Sequence, residues 1–250
     1  YLDTMLSTAS CRIMYGEYCV PQLSHQANGK FAVTEMYHPL IPEGVRNSIT
    51  AERSVLLTGS NASGKSTFIK TVALNAILAQ TLHTVLAENY QASWFCIASS
   101  MALRDDILSQ ERYYIVEIRS LKRILDLTRS SELPVLCFID EVLRGTNTVE
   151  RIAASSRILQ AIAEQGGLCF AATHDIELTY LLEKEYDNYH FEEQVEDDKV
   201  TFDYCLREGR ACTRNAIRLL KMLGYDEKIV DDANERVALF LKSGNWVSSH

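Results

Sequence analysis

The chain has 250 residues, 47% hydrophobic and 23% charged, which is enough to bury a core in one α/β domain, or in one plus a small appendage. Only 11 glycines and 4 prolines occur, which excludes collagen-like and low-complexity chains. The formal net charge of −8 argues against a stand-alone, non-specific DNA binder, because neutralising phosphates requires a basic surface. Arg144, Arg151 and Arg157 are candidates for a local basic patch, but solvated surface arginines are the favoured interpretation for most of them.

Cysteine usage and apolar runs indicate the compartment. Seven cysteines occur without a CxxC pair, and Cys137 and Cys169 lie inside apolar runs. This pattern argues against a disulfide framework or a zinc site and favours a reducing cytoplasm. No signal peptide opens the sequence, and no apolar run approaches the length of about 18 residues that spans a membrane. We therefore expect a cytoplasmic protein without a membrane partner and, since the chain does not begin with Met, a piece of something longer.

The spacing of apolar residues predicts secondary structure along the whole chain. Strands and helices alternate, which indicates an α/β fold with a parallel sheet. The continuous apolar run 135–139 is typical of a strand buried on both sides. In chain order the predicted elements are the end of a helix at 1–14, strands at 31–33 and 54–58, a helix from 65 to about 82, a strand at 93–98, a helix at 112–127, the strand 135–139, a helix at 152–163, a strand at 168–172, an antiparallel hairpin of 186–192 with 199–206, and closing helices at 213–223 and 226–241.

One motif points directly to phosphate chemistry. Gly59-Ser60-Asn61-Ala62-Ser63-Gly64-Lys65-Ser66, followed by Thr67, matches GxxxxGK[ST] in full. A predicted strand precedes it and a predicted helix follows, as a phosphate-binding loop requires. The glycines let backbone N–H groups surround a phosphate, and the helix N-terminus adds a favourable dipole. Lys65 is expected to reach the β- and γ-phosphates, and Ser66 is expected to bind Mg²⁺.

Polar residues follow two of the buried strands. Asp140 and Glu141 end the strand 135–139; Asp140 is expected to hold Mg²⁺ through water, and Glu141 to orient or deprotonate the attacking water. His174 follows the strand 168–172 and is expected to sense or polarise the γ-phosphate. The alternatives are a solvated acidic turn and a structural histidine. The preceding phosphate loop favours the functional interpretation of both.

These motifs resemble the C-terminal ATPase domain (domain V) of the MutS family of mismatch-repair and related DNA-processing proteins. The loop residues Ser60-Asn61-Ala62-Ser63 differ from the commonest form in the mismatch-repair proteins, Pro-Asn-Met-Gly, which indicates a divergent branch. The resemblance rests on Thr58–Thr67, on Asp140–Thr148 and on Ala172–His174 with Glu177-Leu178. The stretch Arg144-Gly145-Thr146 distinguishes this family from ABC transporters and chromosome-cohesion ATPases. The resemblance implies a P-loop NTPase fold of the ABC-type ATPase class, with a mostly parallel central sheet flanked by helices and a C-terminal hairpin and helix pair. It implies three parts: a lead-in segment at 1–36 that includes the end of a lever-type helix, the P-loop ATPase domain at 37–210, and a helical dimerisation segment at 211–250.

The resemblance also implies what the site binds. ATP and Mg²⁺ are expected at the interface of a homodimer, where hydrolysis to ADP and phosphate controls the binding of DNA, mismatched DNA being one candidate, by domains outside this chain. The implied catalytic residues are Glu141, Lys65 and His174. Val45, Arg46 and Asn47 are expected to flank the adenine on one side, and Tyr204 on the other. Ser109 and Arg112 are expected to face the partner's nucleotide, and Arg112 stands where the family places a serine.

Two other functions compete with this interpretation. A transport-type ATPase would carry a Leu-Ser-Gly-Gly-Gln type signature, and the nearest segment, Leu108-Ser109-Gln110-Glu111, lacks both glycines. A nucleotide-gated dimerisation or scaffold module with negligible turnover is favoured by the altered signature residue. The presence of Lys65, Asp140 and Glu141 argues against that second alternative.

Overall fold

The computed structural model describes residues 2–25, 29–41, 43–60, 62–101, 110–143, 146–196, 199–211 and 216–244. The chain divides into two compact units, one of residues 1–192 with 204–211 and one of residues 193–203 with 212–250. The helices are α1 (Leu2–Tyr15), α2 (Lys65–Thr81), α3 (Gln110–Ser130), α4 (Thr148–Glu164), α5 (Glu177–Leu181), α6 (Ala216–Met222) and α7 (Glu227–Ser243). The strands are β1 (Gln22–Ser24), β2 (Phe31–Met36), β3 (Asn47–Ala51), β4 (Ser54–Thr58), β5 (Asn89–Ser93), β6 (Cys96–Met101), β7 (Val135–Asp140), β8 (Leu168–Ala172), β9 (Tyr186–His190), β10 (Glu193–Glu196), β11 (Lys199–Phe202) and β12 (Arg207–Glu208).

A six-stranded sheet in the order β12-β9-β4-β8-β7-β6 forms the centre of the first unit. Strands β9, β4, β8, β7 and β6 run parallel, and the short β12 runs antiparallel to β9 at one edge. Every residue of β4 and β8 is buried, because helices cover both faces of the sheet. Successive side chains alternate between the faces: Val55 and Leu57 pack in one core with α2, whereas Leu56 packs in the other with α3 and α4.

A second, four-stranded sheet in the order β1-β5-β2-β3 shares the core with α2. Its central strand β2 runs antiparallel to both of its neighbours, β5 and β3. The ring of Phe31 meets Tyr90 of this sheet and Phe170 of the large sheet edge-on, at centroid distances of 5.4 and 5.5 Å. Residues 1–36 therefore belong to the same compact unit as the large sheet.

The prediction of one strand at 93–98 is wrong. The chain leaves the small sheet after Ser93 and enters the large sheet at Cys96, so that β5 and β6 lie in different sheets. Between them, the side chain of Gln80 in α2 bonds both backbone groups of Phe95, donating to its oxygen at 3.1 Å and accepting from its nitrogen at 2.7 Å. These two bonds replace a strand partner and break the ladder.

The predicted hairpin of 186–192 with 199–206 is wrong in its first arm. Residues 186–190 form β9, which runs parallel to β4 in the large sheet. Tyr186 anchors this segment in the large sheet: its ring is buried, and its hydroxyl donates to the Leu159 carbonyl at 2.9 Å. The antiparallel hairpin consists of β10 and β11, and the residues 197–198 between them lie outside the described part. The second arm ends at Phe202, two residues before Tyr204 takes a left-handed φ of 54°.

The second unit contains the hairpin β10–β11 and the helices α6 and α7. Asp226 caps α7, accepting from the backbone nitrogen of Lys228 at 2.8 Å. The predicted helix 213–223 begins in the described structure at Ala216, since residues 212–215 lie outside it. Among the residues that the structure describes, no helix has the length and apolar character needed to cross a membrane.

Candidate functional site

The carboxyl ends of three adjacent strands meet in one row. Leu57 of β4 pairs with Ala172 of β8, and Ala172 pairs in turn with Asp140 of β7. The loops that leave these strands are bonded to the neighbouring strands: Thr173 N–H donates to the Leu57 carbonyl at 2.9 Å, and Glu141 N–H donates to the Ala172 carbonyl at 3.0 Å. The sheet thus brings the loop 59–64 and the segments after β7 and β8 to a single edge, where ligands of parallel sheets bind.

Two glycines of the loop 59–64 stand where another residue would be strained. Gly59 has a φ of 140°, and a Cβ there would lie 2.7 Å from the backbone oxygen of Phe191. Gly64 has a φ of 105°, and a Cβ there would lie 3.1 Å from the ring of Tyr204. The loop therefore passes close to the backbone after β9 and against the Tyr204 ring; a Cβ at position 59 would collide with backbone, whereas at position 64 the ring would have to move by a few tenths of an ångström. Asn61 lies outside the described residues.

Buried polar groups accumulate around this loop. The Lys65 side chain is buried, and its Nζ donates to the carbonyls of Gly59 and Ser60, both at 2.8 Å. Ser60 Oγ, Ser63 Oγ and Asp140 Oδ1 are buried without a hydrogen-bond partner in the described part of the chain. A buried polar atom left without a partner costs about 1–3 kcal/mol. The two hydroxyls and the buried ammonium at this sheet edge match an oxygen-rich anion, whereas the Asp140 carboxylate oxygen matches a cation or a hydrogen-bond donor.

Glu141 and His174 contact each other. His174 Nε2 lies 2.9 Å from Glu141 Oε1. Glu141 and Leu143 both have left-handed backbone conformations, with φ of 59° and 58°. The Leu143 N–H donates to a carboxylate oxygen of Glu117 in α3. Non-glycine residues in this conformation are strained and persist only where surrounding bonds hold them, so the turn after β7 is held in place by its neighbours.

An ion pair that the sequence analysis did not predict lies beside His174. Arg151, in the first turn of α4, makes two parallel bonds to Asp175: Nε to Oδ2 at 2.9 Å and a terminal guanidinium nitrogen to Oδ1 at 2.6 Å. Hydrogen bonding to Asp175 is the main reason why the pKa of Arg151 is raised, and the charges of Asp175, Glu141 and Glu177 add to it. Arg151 is therefore engaged within the chain rather than part of a basic patch. The only sequence signal was an acidic residue directly after His174.

Two of the residues predicted to contact adenine, Asn47 and Tyr204, lie together beside the same loop. The Asn47 amide donates to the Tyr204 carbonyl at 3.1 Å and accepts from the Leu206 N–H at 2.7 Å. The Tyr204 ring is 45% exposed and lies against Gly64, and Val45 is 42% exposed. The Asn47 side chain thus holds the backbone at Tyr204 and Leu206, and the partly exposed Tyr204 ring lies beside the loop.

Arg46, which precedes Asn47, and His38 have defined surroundings. The Arg46 guanidinium lies over the Tyr37 ring, 5.0 Å from its centroid, and also bonds Glu17. Burial lowers the pKa of His38, with a smaller contribution from the charge of Lys70.

Several predicted residues fall where no side chain is described. Ser109 and the pair Arg144-Gly145 lie outside the described residues. Arg112 belongs to the first turn of α3, but its side chain also lies outside the described part. Their roles toward a partner subunit stay predictions.

The comparisons with known proteins agree on one family. The model of MutS domain V matches residues 55–240. The DNA mismatch repair protein MutS of Natronomonas pharaonis is 31% identical over 242 residues, covering 94% of this chain and 28% of that protein. Its counterparts from Pseudothermotoga lettingae and Thermus thermophilus are 32% and 28% identical, covering 94% and 93% of this chain and 30% and 28% of their own lengths. The chain spans less than a third of the length of these relatives, and it belongs to the MutS domain V family.

Proposed function

We propose that this chain is a P-loop ATPase module that hydrolyses ATP to ADP and phosphate with Mg²⁺ as cofactor. The observation that carries the proposal is the sheet edge at which the loop 59–64, Asp140-Glu141 and His174 meet. The segments that meet there carry three buried oxygens without partners in the described residues, together with a buried lysine. Nucleotides and other charged ligands bind at this end of parallel sheets; an oxygen-rich ligand would accept from the two serine hydroxyls and from Lys65, and a cation that accompanies it would satisfy Asp140 Oδ1.

The loop 59–64 and the start of α2 would bind the phosphates. Among the residues that the structure describes, no side chain caps the N-terminus of α2, so its first N–H groups face the loop. Lys65 would exchange its bonds to the Gly59 and Ser60 carbonyls for phosphate oxygens, which are stronger acceptors because they are charged. The hydroxyls of Ser60 and Ser63 would gain their missing partners from the same ligand. The loop therefore needs only local changes to bind.

Ser66 and Asp140 fit the metal that accompanies a nucleotide. Both present hard oxygen ligands, and Asp140 Oδ1 is buried without a partner among the described residues. When bound, Mg²⁺ would neutralise charge that develops on the phosphate oxygens.

Glu141 would accept the proton of the attacking water. Its strained backbone fixes the carboxylate at the end of β7, and the contact with His174 at 2.9 Å limits its rotation. His174 would sit between the base and the γ-phosphate and sense whether that group is present. The rate of ATP hydrolysis would then depend on how well the side chains of Glu141 and His174 are oriented.

Tyr204 would stack on the base, while Asn47 keeps its backbone in place.

The relatives named above are called DNA mismatch repair proteins. From this family membership we also propose that the module works in a homodimer, in which Ser109 or Arg112 reaches the partner's nucleotide. Its nucleotide state would control DNA binding by other parts of a longer protein.

The decisive test is Glu141→Gln in the full-length protein. We expect ATP binding to persist while turnover falls at least 100-fold, because the amide cannot accept the water proton. The matched control is Glu164→Gln at the end of α4, which should hydrolyse ATP at the wild-type rate. Wild-type turnover in Glu141→Gln would refute the assignment of the base.

A scaffold function is the second candidate, favoured by Arg112 at the position where the family places a serine. It predicts tight ATP binding and ATP-dependent dimers with negligible hydrolysis. Sedimentation with and without ATP and Mg²⁺, run beside the hydrolysis assay against protein concentration, separates the two functions. A rate per subunit that rises with concentration supports the ATPase with a composite site.

A further inference from the structure

The ion pair between Arg151 and Asp175 has a geometry that fixes orientation as well as distance. Its two bonds, 2.9 and 2.6 Å long, join a planar guanidinium to a planar carboxylate. The side chains are only 24% and 13% exposed. A bidentate pair of this kind resists both rotation and sliding, and partial burial reduces its screening by solvent.

The two ends of the pair belong to different elements beside the site. Arg151 lies in the first turn of α4, which Asn147 caps by accepting from the Val149 N–H at 2.9 Å. Asp175 directly follows His174, and its own N–H donates to Thr173 Oγ1 at 3.0 Å. The pair therefore connects the start of α4 with the short segment that carries His174.

The placement of Arg151 depends on the carboxylates beside His174. A cation in the first turn of a helix opposes the helix dipole, so the position is unfavourable unless a carboxylate offsets it. The Asp175 carboxylate supplies that offset, and Glu141 and Glu177 also act on the Arg151 charge. Asp175 is the residue after His174, so these charges act beside His174, and Glu141 is one of them.

We propose that the Arg151–Asp175 ion pair positions His174 against Glu141 and thereby sets the rate of turnover rather than the affinity for nucleotide. This inference rests on the proposed function. Arg151 and Asp175 are positioning residues, since neither is assigned a contact with the phosphates or the attacking water. Without the pair, the segment 173–176 would shift relative to α4, and His174 would spend less time at its 2.9 Å contact with Glu141.

The test compares variants of the full-length protein by kcat, KM and equilibrium affinity for ATP. We expect Arg151→Ala and Asp175→Asn each to lower kcat about 10- to 100-fold, the usual cost of removing a group that orients a functional side chain, with ATP affinity changed less than threefold. Arg151→Lys should recover part of the lost rate. The matched control is Arg53→Ala, which removes another Arg–Asp pair, to Asp187 at the opposite end of the sheet, and should leave kcat unchanged.

A double-mutant cycle with His174→Ala separates positioning from general destabilisation. If the pair acts through His174, Arg151→Ala combined with His174→Ala will be no slower than His174→Ala alone. Effects that multiply, or an Arg151→Ala variant with wild-type kcat, overturn the inference. If those results appear while Glu141→Gln still abolishes turnover, only this inference fails. If the wild type itself does not hydrolyse ATP, the proposed function fails and the inference fails with it.

Discussion

Gly59→Ala tests whether the loop 59–64 is as tightly confined as its geometry indicates. The added Cβ would lie 2.7 Å from the Phe191 backbone oxygen and 3.0 Å from Ser63 Oγ. The backbone at this position has a φ of 140°, which alanine strongly disfavours. Because Phe191 N–H is itself bonded to the Thr58 carbonyl at 3.1 Å, the backbone on the other side of the contact cannot easily move away. The loop must therefore shift.

The magnitude follows from a matched comparison with Gly166→Ala. Gly166 also has a positive φ, of 79°, but a Cβ there would meet nothing within 4 Å. Its substitution should cost only backbone strain, about 1–2 kcal/mol. At Gly59 the displacement of packed backbone adds about 1–3 kcal/mol, the usual cost of overpacking. We expect a loss of about 3 kcal/mol in the free energy of unfolding for Gly59→Ala, and about half of that for Gly166→Ala.

Urea unfolding measures the stability of both variants, and calorimetry measures their affinity for ATP. A loop displaced to relieve the contact no longer matches the phosphates, so Gly59→Ala should bind ATP at least tenfold more weakly, while Gly166→Ala binds like the wild type. Equal stability and equal ATP affinity in the two variants would show that the Phe191 carbonyl does not confine the loop at Gly59.

Two further predictions concern Tyr204 and His38. Tyr204→Ala should weaken ATP binding about tenfold, since stacking on a base contributes about 1–3 kcal/mol, whereas Tyr204→Phe should bind as the wild type does in the same calorimetric titration; equal losses in both would assign the effect to the hydroxyl. His38 has a pKa below its ordinary value of 6.5 in the folded state, so the unfolded chain binds its proton more tightly and the stability that neutral His38 contributes is lost as the pH falls below 6.5. Urea unfolding at pH 7 and pH 5.5 should show a smaller loss on acidification for His38→Asn than for the wild type, and identical losses would contradict the role of His38.

Much of the candidate site could be predicted because its groups are encoded in short, continuous segments. The motif from Gly59 to Ser66 carries its own strand, turn and helix signals, and the structure has β4 before it and α2 after it. Asp140 and Glu141 end an apolar run that is typical of a strand buried on both sides, and the structure has the buried strand β7 there. Parallel strands in register then bring such strand ends to one edge, which is why local patterns were enough to group these residues.

Pairings between distant segments could not be read in this way. Asn47 and Tyr204 are separated by 157 residues, and the amide that seemed available for a base instead bonds the Tyr204 backbone. Arg151 and Asp175 are ordinary charged residues in the sequence, and only the packing of α4 beside β8 joins them. Gln80 likewise divides a predicted strand from a distance of 15 residues.

Residue types and periodicities of about 2 and 3.6 residues were enough to predict the alternation of strands and helices, the strand and helix on either side of the loop 59–64, and the acidic end of β7. The tertiary structure decided which sheet β5, β6 and β9 join and which partners Asn47, Arg151 and Glu117 take. Those choices depend on the free energy of burying one segment against another, which arises only when residues far apart in the chain are packed together.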